Sequence, residues 1–240
     1  MIDLDAIKSA IDSSQRAQRN YDLTKHVSKE HLNLLIYAAT NSPSKQNETH
    51  FSVHVYTEPK IIRQIYDNTK KFTLGAKKAL AEGKTEEWLY ENQALKNSQI
   101  LADVLFVYTE AEGNARGATH HKAKADDDFS KIVLEEQKNY SIGISVGELI
   151  LTAGLLGYKT GICSAFNPDP VSEILNTKSK SKLLVGVGVD NPSIDRLLHA
   201  ETTNAEVPED YRTGALDEKW KFYSFKKNMQ CFLNGLSLTN

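Results

Sequence analysis

Residues 28–56 read SKEHLNLLIYAATNSPSKQNETHFSVHVY, and the change of period within them sets the class of the fold. The run EHLNLLIYAAT is apolar at helical spacing. Ser28 before it offers a hydroxyl to the unpaired N–H groups of a first turn, and Asn41 with Pro43 just beyond stops it. The polar segment NSPSKQNETH (41–50) then leads without a gap into FSVHVY. There Phe51, Val53 and Val55 face one way and Ser52, His54 and Tyr56 the other, the alternation of a half-buried strand. His54 reads as an exposed strand residue rather than a ligand. The loop with Pro43, Ser44 and Asn47 lies at a helix-to-strand corner.

Three more apolar, β-branched runs read as strands: VLFVYT (104–109), TGICSA (160–165) and LLVGVGV (183–189). In the last, Val185, Val187 and Val189 share one face and Gly186 and Gly188 the other, which lets another backbone approach closely. The element expected on the glycines is a helix over 139–157, where Gly143, Gly147 and Gly154 thin one side of an apolar rod. Such a rod must be covered on nearly every side, by the rest of the chain or by a second copy of it. At the start, MIDLDAIKSAIDSS puts Leu4, Ile7 and Ile11 on one helical face. Residues 60–100 read as helices with basic and acidic faces, and TEAEGNARGATHHKAKADDD (109–128) as a long mobile connection. No internal repeat and no linker divides the chain, so a single domain over 1–240 is expected.

Composition narrows the function. The 240 residues are enough to bury roughly 70% of the unfolded surface, and 40% hydrophobic with 25% charged residues is the make-up of an ordinary globular protein. A formal charge of −2 argues against a nucleic-acid wrapper or a membrane-surface binder. TKKFTLGAKKALAEGK (69–84) and TKSKSK (177–182) read as solvated faces. The first residues lack the charged-then-apolar layout of a secretion signal, so the mature chain is expected to begin at Met1. The longest apolar segment, IGISVGELILTAGLLGY, is broken by Glu148 and four glycines and is short for a bilayer span. Cys163 and Cys231 are far apart, with no zinc or disulfide spacing, and a reducing cytoplasm fits them. HHKAKADDD reads as a solvated loop, because adjacent residues point in different directions.

Two clusters can carry chemistry. In QRAQRNYD (15–22), Arg16 and Arg19 are three apart and share a face if that turn stays helical; two converging guanidiniums suit a phosphate or a delocalised anion. In PSKQN (43–47), the Ser44 hydroxyl, the Asn47 amide and backbone N–H groups can donate to a ligand, or simply close a local turn. Neither decides alone.

Their order along the chain does. An N-terminal helix, a basic RAQR turn, an apolar helix ending in Pro-Ser-x-x-Asn and an immediate strand are followed much later by VGELILTAGLLGYKTGICSAF and LLVGVGVD. That succession resembles the FMN-dependent nitroreductase family over most of the chain, thinning between about 60 and 135. The resemblance implies an α+β fold with a central, mostly antiparallel sheet flanked by helices, in an intertwined homodimer with FMN at the subunit interface. It also implies an oxidoreductase that takes a hydride from NAD(P)H through flavin N5 to a small electron-poor acceptor such as a nitroaromatic or quinone, by ping-pong turnover with no catalytic side chain.

The family's Arg-Arg-Ser-x-Arg-x-Phe lies on QRAQRNY: Gln15 and Arg16 stand on the leading basic positions, Ala17 on the Ser, Arg19 on the next Arg and Tyr21 on the Phe. The resemblance implies that Arg16 holds the FMN phosphate or ribityl chain and that Arg19 approaches the pyrimidine edge. Pro43, Ser44, Lys45 and Asn47 fall on the family's PSSxN loop, supplied by the partner subunit, with Lys45 in place of a Ser. Ser164 and Ala165 fall where a backbone N–H meets flavin N5, Asn92 on an Asn or Gln at the ring, and Arg196 with His199 on a late basic pair. Gln15 and Ala17 remove a charge and a hydroxyl, which leaves two expectations: an FMN affinity weaker than is usual for the family, or compensation by Lys45 from the neighbouring subunit. Phe72, Trp88 and Tyr90 are either substrate cover or core. A flavin-dependent dehalogenase, a ring dehydrogenase and a non-catalytic flavin-binding protein stay open as alternatives.

Overall fold

The four expected strands pair antiparallel into one sheet. The computed structural model describes residues 3–44, 50–69, 72–73, 82–85, 94–111, 128–194 and 196. Within them the order is α1 (Leu4–Ser14), α2 (Lys29–Thr40), β1 (Phe51–Tyr56), α3 (Pro59–Asp67), β2 (Phe72–Thr73), β3 (Ala94–Leu95), a 3-10 turn (Ser98–Ile100), β4 (Val104–Glu110), α4 (Asp128–Leu155), β5 (Lys159–Cys163), α5 (Pro168–Ile174) and β6 (Ser181–Gly188). The sheet runs β1-β4-β6-β5, with Phe51 opposite Glu110, Val104 opposite Val187 and Lys159 opposite Gly188. β2 and β3 pair separately, inside the stretch that the sequence reads as helical.

Central β4 is buried on both faces. Phe106 and Tyr108 join Val185 and Val187 against Leu35 and Ala39 of α2 and Val146, Leu149 and Ala153 of α4. Leu105 and Val107 join Leu184 and Cys163 against Ile62, Ile65 and Tyr66 of α3 and Val171 of α5. At about 1.5–3 kcal/mol for each large apolar side chain removed from water, these two layers are the main favourable contribution to folding. β1 keeps the alternation expected of it, with Phe51, Val53 and Val55 on the α2/α4 side and Tyr56 on the other. His54 is half-buried rather than exposed, and its Nε2 lies 3.2 Å from Thr109 Oγ1.

Local signals act as expected at the helix ends. Ser28 Oγ accepts from His31 N–H at 3.2 Å, and Asp3 caps α1 through Asp5 and Ala6 N–H at 3.0 Å. α4 ends in a Schellman turn: Gly157 takes φ +83°, its N–H reaches Gly154 O, and Tyr158 N–H reaches Ala153 O at 2.8 Å.

One packing expectation is corrected. α4 lies on the valine face of β6. The glycine face of β6 receives the 3-10 turn and the side chain of Tyr21: a Cβ on Gly186 would collide with Gln99 O, and one on Gly188 would sit 3.1 Å from Tyr21 Cδ1. A short turn brings its backbone closer to a sheet than the side chains of a regular helix permit. On α4, Gly154 meets Ala10 of α1, and among the described residues nothing lies within 4 Å of a Cβ on Gly143 or Gly147, with Tyr140 (64%) and Ile144 (44%) beside them facing outward, the side left for the rest of the chain or a second copy. α1 likewise buries Ala10 while Leu4 and Ile11 stay exposed.

Candidate functional site

The chain leaves α1 in an extended path. Gln18 N–H donates to Thr160 O at 2.8 Å, Arg19 N–H to Arg196 O at 2.8 Å and Asp22 N–H to Val189 O at 2.9 Å, while Tyr21 bridges to Asp190. These bonds take the N–H groups that a further helical turn would need, so the shared helical face expected for Arg16 and Arg19 does not form. Arg16 is exposed. Arg19 is 4% exposed, and its Nε and Nη1 have no acceptor among the described residues.

A buried cation with two orphaned donors is costly, because each lost partner leaves a desolvated polar group. Its surroundings register the charge. Burial pushes the Cys163 thiol up to about 11, with the Ala165 backbone and Arg19 pulling the other way. Burial also raises the Tyr21 phenol, against Arg196 and Arg19. Tyr21 Oη lies 3.1 Å from Gln99 O and 3.3 Å from Gly186 O, so its ring braces the turn against β6.

Arg196, whose carbonyl accepts from Arg19 N–H, holds the same turn through its side chain, with Nη2 donating to Ser13 O at 3.4 Å and to Arg16 O. Lys159 Nζ donates to Ser13 Oγ at 2.6 Å. Beyond β5, Ser164 is exposed and Ala165 half-buried, and the Ala165 carbonyl accepts from Asn97 Nδ2 at 2.8 Å. Arg16, Arg19, Arg196, Ser164 and Ala165 therefore gather around one edge strand, β5. Gln15 and Ala17 border them half-buried, and Gln15 Nε2 is bonded to Asp12 at 3.0 Å. Pro43 and Ser44 precede β1, at the opposite edge of the sheet, so three strand spacings of about 4.8 Å separate the two edges. Lys45, Asn47, Asn92, His199, Trp88 and Tyr90 lie outside the described residues, as does the side chain of Phe72.

Asn97, Gln99 and Lys159 escaped the sequence reading. KNSQI (96–100) has no period and falls in a stretch read as helical. A signal was nonetheless present in Gly161: a Cβ there would lie 2.5 Å from both Gln18 O and Gln99 O, the kind of backbone approach that a glycine inside a strand announces.

This arrangement can hold a flat, oxygen-rich group. Arg19 supplies unspent donors beneath it, the end of β5 supplies backbone, and Arg16, Lys159 and Arg196 supply positive charge along the turn after α1.

The sequence model described as the nitroreductase family matches residues 13–189. No curated protein matches the chain. Among solved structures it is similar to a BluB-like flavoprotein from Clostridium difficile, at 16% identity and TM-score 0.57 over 89% of this chain and 99% of that one. It is similar to nitroreductase A from Vibrio parahaemolyticus, at 17% identity and TM-score 0.54 over 94% and 85%. A nitroreductase family protein from Clostridium novyi is also similar, at 17% identity and TM-score 0.53 over 78% and 86%. At these identities the likeness is one of fold.

Proposed function

The chain belongs to the nitroreductase family, and on that premise we propose that it is an FMN-dependent oxidoreductase passing a hydride from NAD(P)H to a small electron-poor acceptor, a nitroaromatic or a quinone. The observation that carries this reading is Arg19: a guanidinium 4% exposed with two N–H groups lacking acceptors among the described residues, on the segment paired through Gln18 with the edge strand β5, beyond whose end Ser164 is exposed. The oxygen-bearing pyrimidine edge of a flavin fits those donors, and a phosphate tail fits Arg16 and Arg196.

Bound FMN would supply the hydride chemistry. The chain's part is to hold and orient it. Arg19 would favour the negative charge that accumulates at the pyrimidine edge on reduction, a charge-assisted contact that stabilises the reduced form more than the oxidised one. Ser164 and Ala165 would offer backbone N–H toward N5, with the strand end kept in place by the Asn97 bond to Ala165 O. Asn92 would meet the ring, and Gln15 and Ala17 would border the phosphate side.

The same reading makes the molecule a homodimer. One ring cannot be reached by Arg19 and by the Pro43–Ser44 loop of the same chain when these occupy opposite sheet edges, so Pro43, Ser44, Lys45 and Asn47 would come from a second copy. The exposed α4 stripe of Tyr140, Gly143, Ile144 and Gly147 supports this, because it offers an apolar, thin-sided face for a helix of that copy. No described helix is long and apolar enough to cross a membrane, and we place the enzyme in the cytoplasm.

Anaerobic titration of the FMN-loaded protein with NADH and with NADPH tests the activity. One equivalent of a nucleotide should bleach the oxidised flavin absorbance, and a nitroaromatic or quinone should restore it. A flavin that neither nucleotide bleaches would overturn the enzyme reading.

A further inference from the structure

We propose that Lys159, held by the hydroxyl of Ser13, is the phosphate-selective anchor of the cofactor site. The inference rests on the flavin reading above and adds to it a residue on β5, from within the same chain.

Three observations converge. Lys159 Nζ lies 2.6 Å from Ser13 Oγ in a partly buried setting, which leaves two of its three ammonium protons for another acceptor. Ser13 is also the residue whose carbonyl receives Arg196 Nη2 at 3.4 Å, and Arg196 Nη2 reaches Arg16 O as well, so the Lys159 ammonium and the Arg196 guanidinium border the same turn. Finally, none of Arg16, Arg19 and Lys159 forms an ion pair among the described residues, although Asp and Glu elsewhere in the described chain pair with Lys25, Arg63, Lys96, Lys131, Lys138 and Lys182.

Two cations on the turn after α1 and a third that reaches back to Ser13 repel where they approach without a carboxylate between them, and such a cluster is stabilised by an anion that neutralises it. Arg19 is the buried member, on the segment that Gln18 N–H ties to Thr160 O. Lys159 begins β5 and reaches back to Ser13, while Ser164 and Ala165 lie beyond the other end of the strand. A ligand lying along β5 with its planar head toward Ser164 and Ala165 therefore brings its anionic tail to Lys159. Ser13 supplies a hydroxyl, and Lys159 a charge, where Ala17 and Gln15 provide neither. This assigns the compensation to the chain itself rather than to Lys45 of a second copy.

A tail anchor must discriminate FMN from riboflavin, which carries the same ring and no phosphate. Apoprotein is titrated with each flavin, following the quenching of flavin fluorescence, for the parent, Lys159→Met, Lys159→Arg and Ser13→Ala. The parent should bind FMN more tightly than riboflavin. Lys159→Met should lose roughly tenfold or more in FMN affinity, the scale of one charged hydrogen bond, with riboflavin affinity unchanged. Lys159→Arg should recover most of the loss, and Ser13→Ala should show a smaller one. Riboflavin binding is also the control for folding. Equal loss for both flavins in Lys159→Met, or no loss for either, would overturn the anchor while leaving the flavin reading intact. A parent that binds neither flavin would overturn both.

Discussion

Replacing Arg19 with Met separates what this residue does for the fold from what it does for the ligand. The guanidinium is 4% exposed with Nε and Nη1 lacking acceptors among the described residues. Two desolvated donors at about 1–3 kcal/mol each are a burden on the ligand-free chain, and a methionine of similar length keeps the packing of the stem without them. The apoprotein should gain on the order of 2 kcal/mol, which for a chain of this size raises the melting temperature by roughly 4–8 °C. The same change should weaken FMN binding by about ten- to a hundredfold, the range for losing a charged hydrogen bond. Because the lost contact favours the reduced flavin, the two-electron midpoint potential should fall by roughly 30–60 mV, at about 30 mV for each 1.4 kcal/mol. Calorimetry of apoprotein, flavin titration and a xanthine oxidase-coupled dye equilibration read the three quantities. An Arg19→Met apoprotein less stable than the parent, binding FMN as firmly and at the same potential, would show that the guanidinium is a structural group and refute the reasoning.

Other consequences concern the frame around the site. Gly161→Ala places a Cβ 2.5 Å from two backbone oxygens, Gln18 O and Gln99 O, and the overpacking should cost about 1–3 kcal/mol or more in urea unfolding. Lys182 ties Glu110 of β4 at 2.9 Å to Glu135 of α4 at 2.5 Å. The hydrogen bond from Lys182 holds the Glu135 carboxyl below its usual range. Burial pulls the Lys182 ammonium down, but its hydrogen bonds to both acids outweigh this and raise it. The stability contributed by the glutamate is therefore present above the ordinary pKa near 4.3 and lost as pH falls through the depressed value; that contributed by the lysine is present below about 10.4 and lost as pH rises through the elevated one. In Lys182→Met, unfolding midpoints between pH 5 and 3 should fall less steeply than in the parent, and parallel slopes would exclude the coupling. The buried Cys163 thiol, pushed up to about 11, should resist iodoacetamide at pH 8 in native protein and react in urea, as read by peptide mass spectrometry.

The frame was legible because its signals are periodic. Four β-branched runs, the cap at Ser28 and the stop at Asn41–Pro43 each state a local preference that packing then satisfies. The turn at 98–100 was not legible, since a short polar segment has no period and its place on Gly186 and Gly161 is set by contacts far away in sequence. The helical pairing of Arg16 with Arg19 failed for a related reason: propensity would continue α1, but the open edge of β5 competes for Gln18 N–H and wins it. The exposed apolar face of α1 shows the limit of amphipathicity, which marks a face for burial without naming what buries it. Lys159 reads as an ordinary strand-end lysine until Ser13 and Arg196 are placed beside it.

The central claim is that two copies of the chain jointly seat FMN, Arg19 and the end of β5 from one and the Pro43–Ser44 loop from the other. Native mass spectrometry of FMN-reconstituted protein tests it most directly. The account predicts a species of two chains carrying two FMN; a single chain holding FMN, or a chain of any assembly that holds none, would contradict it.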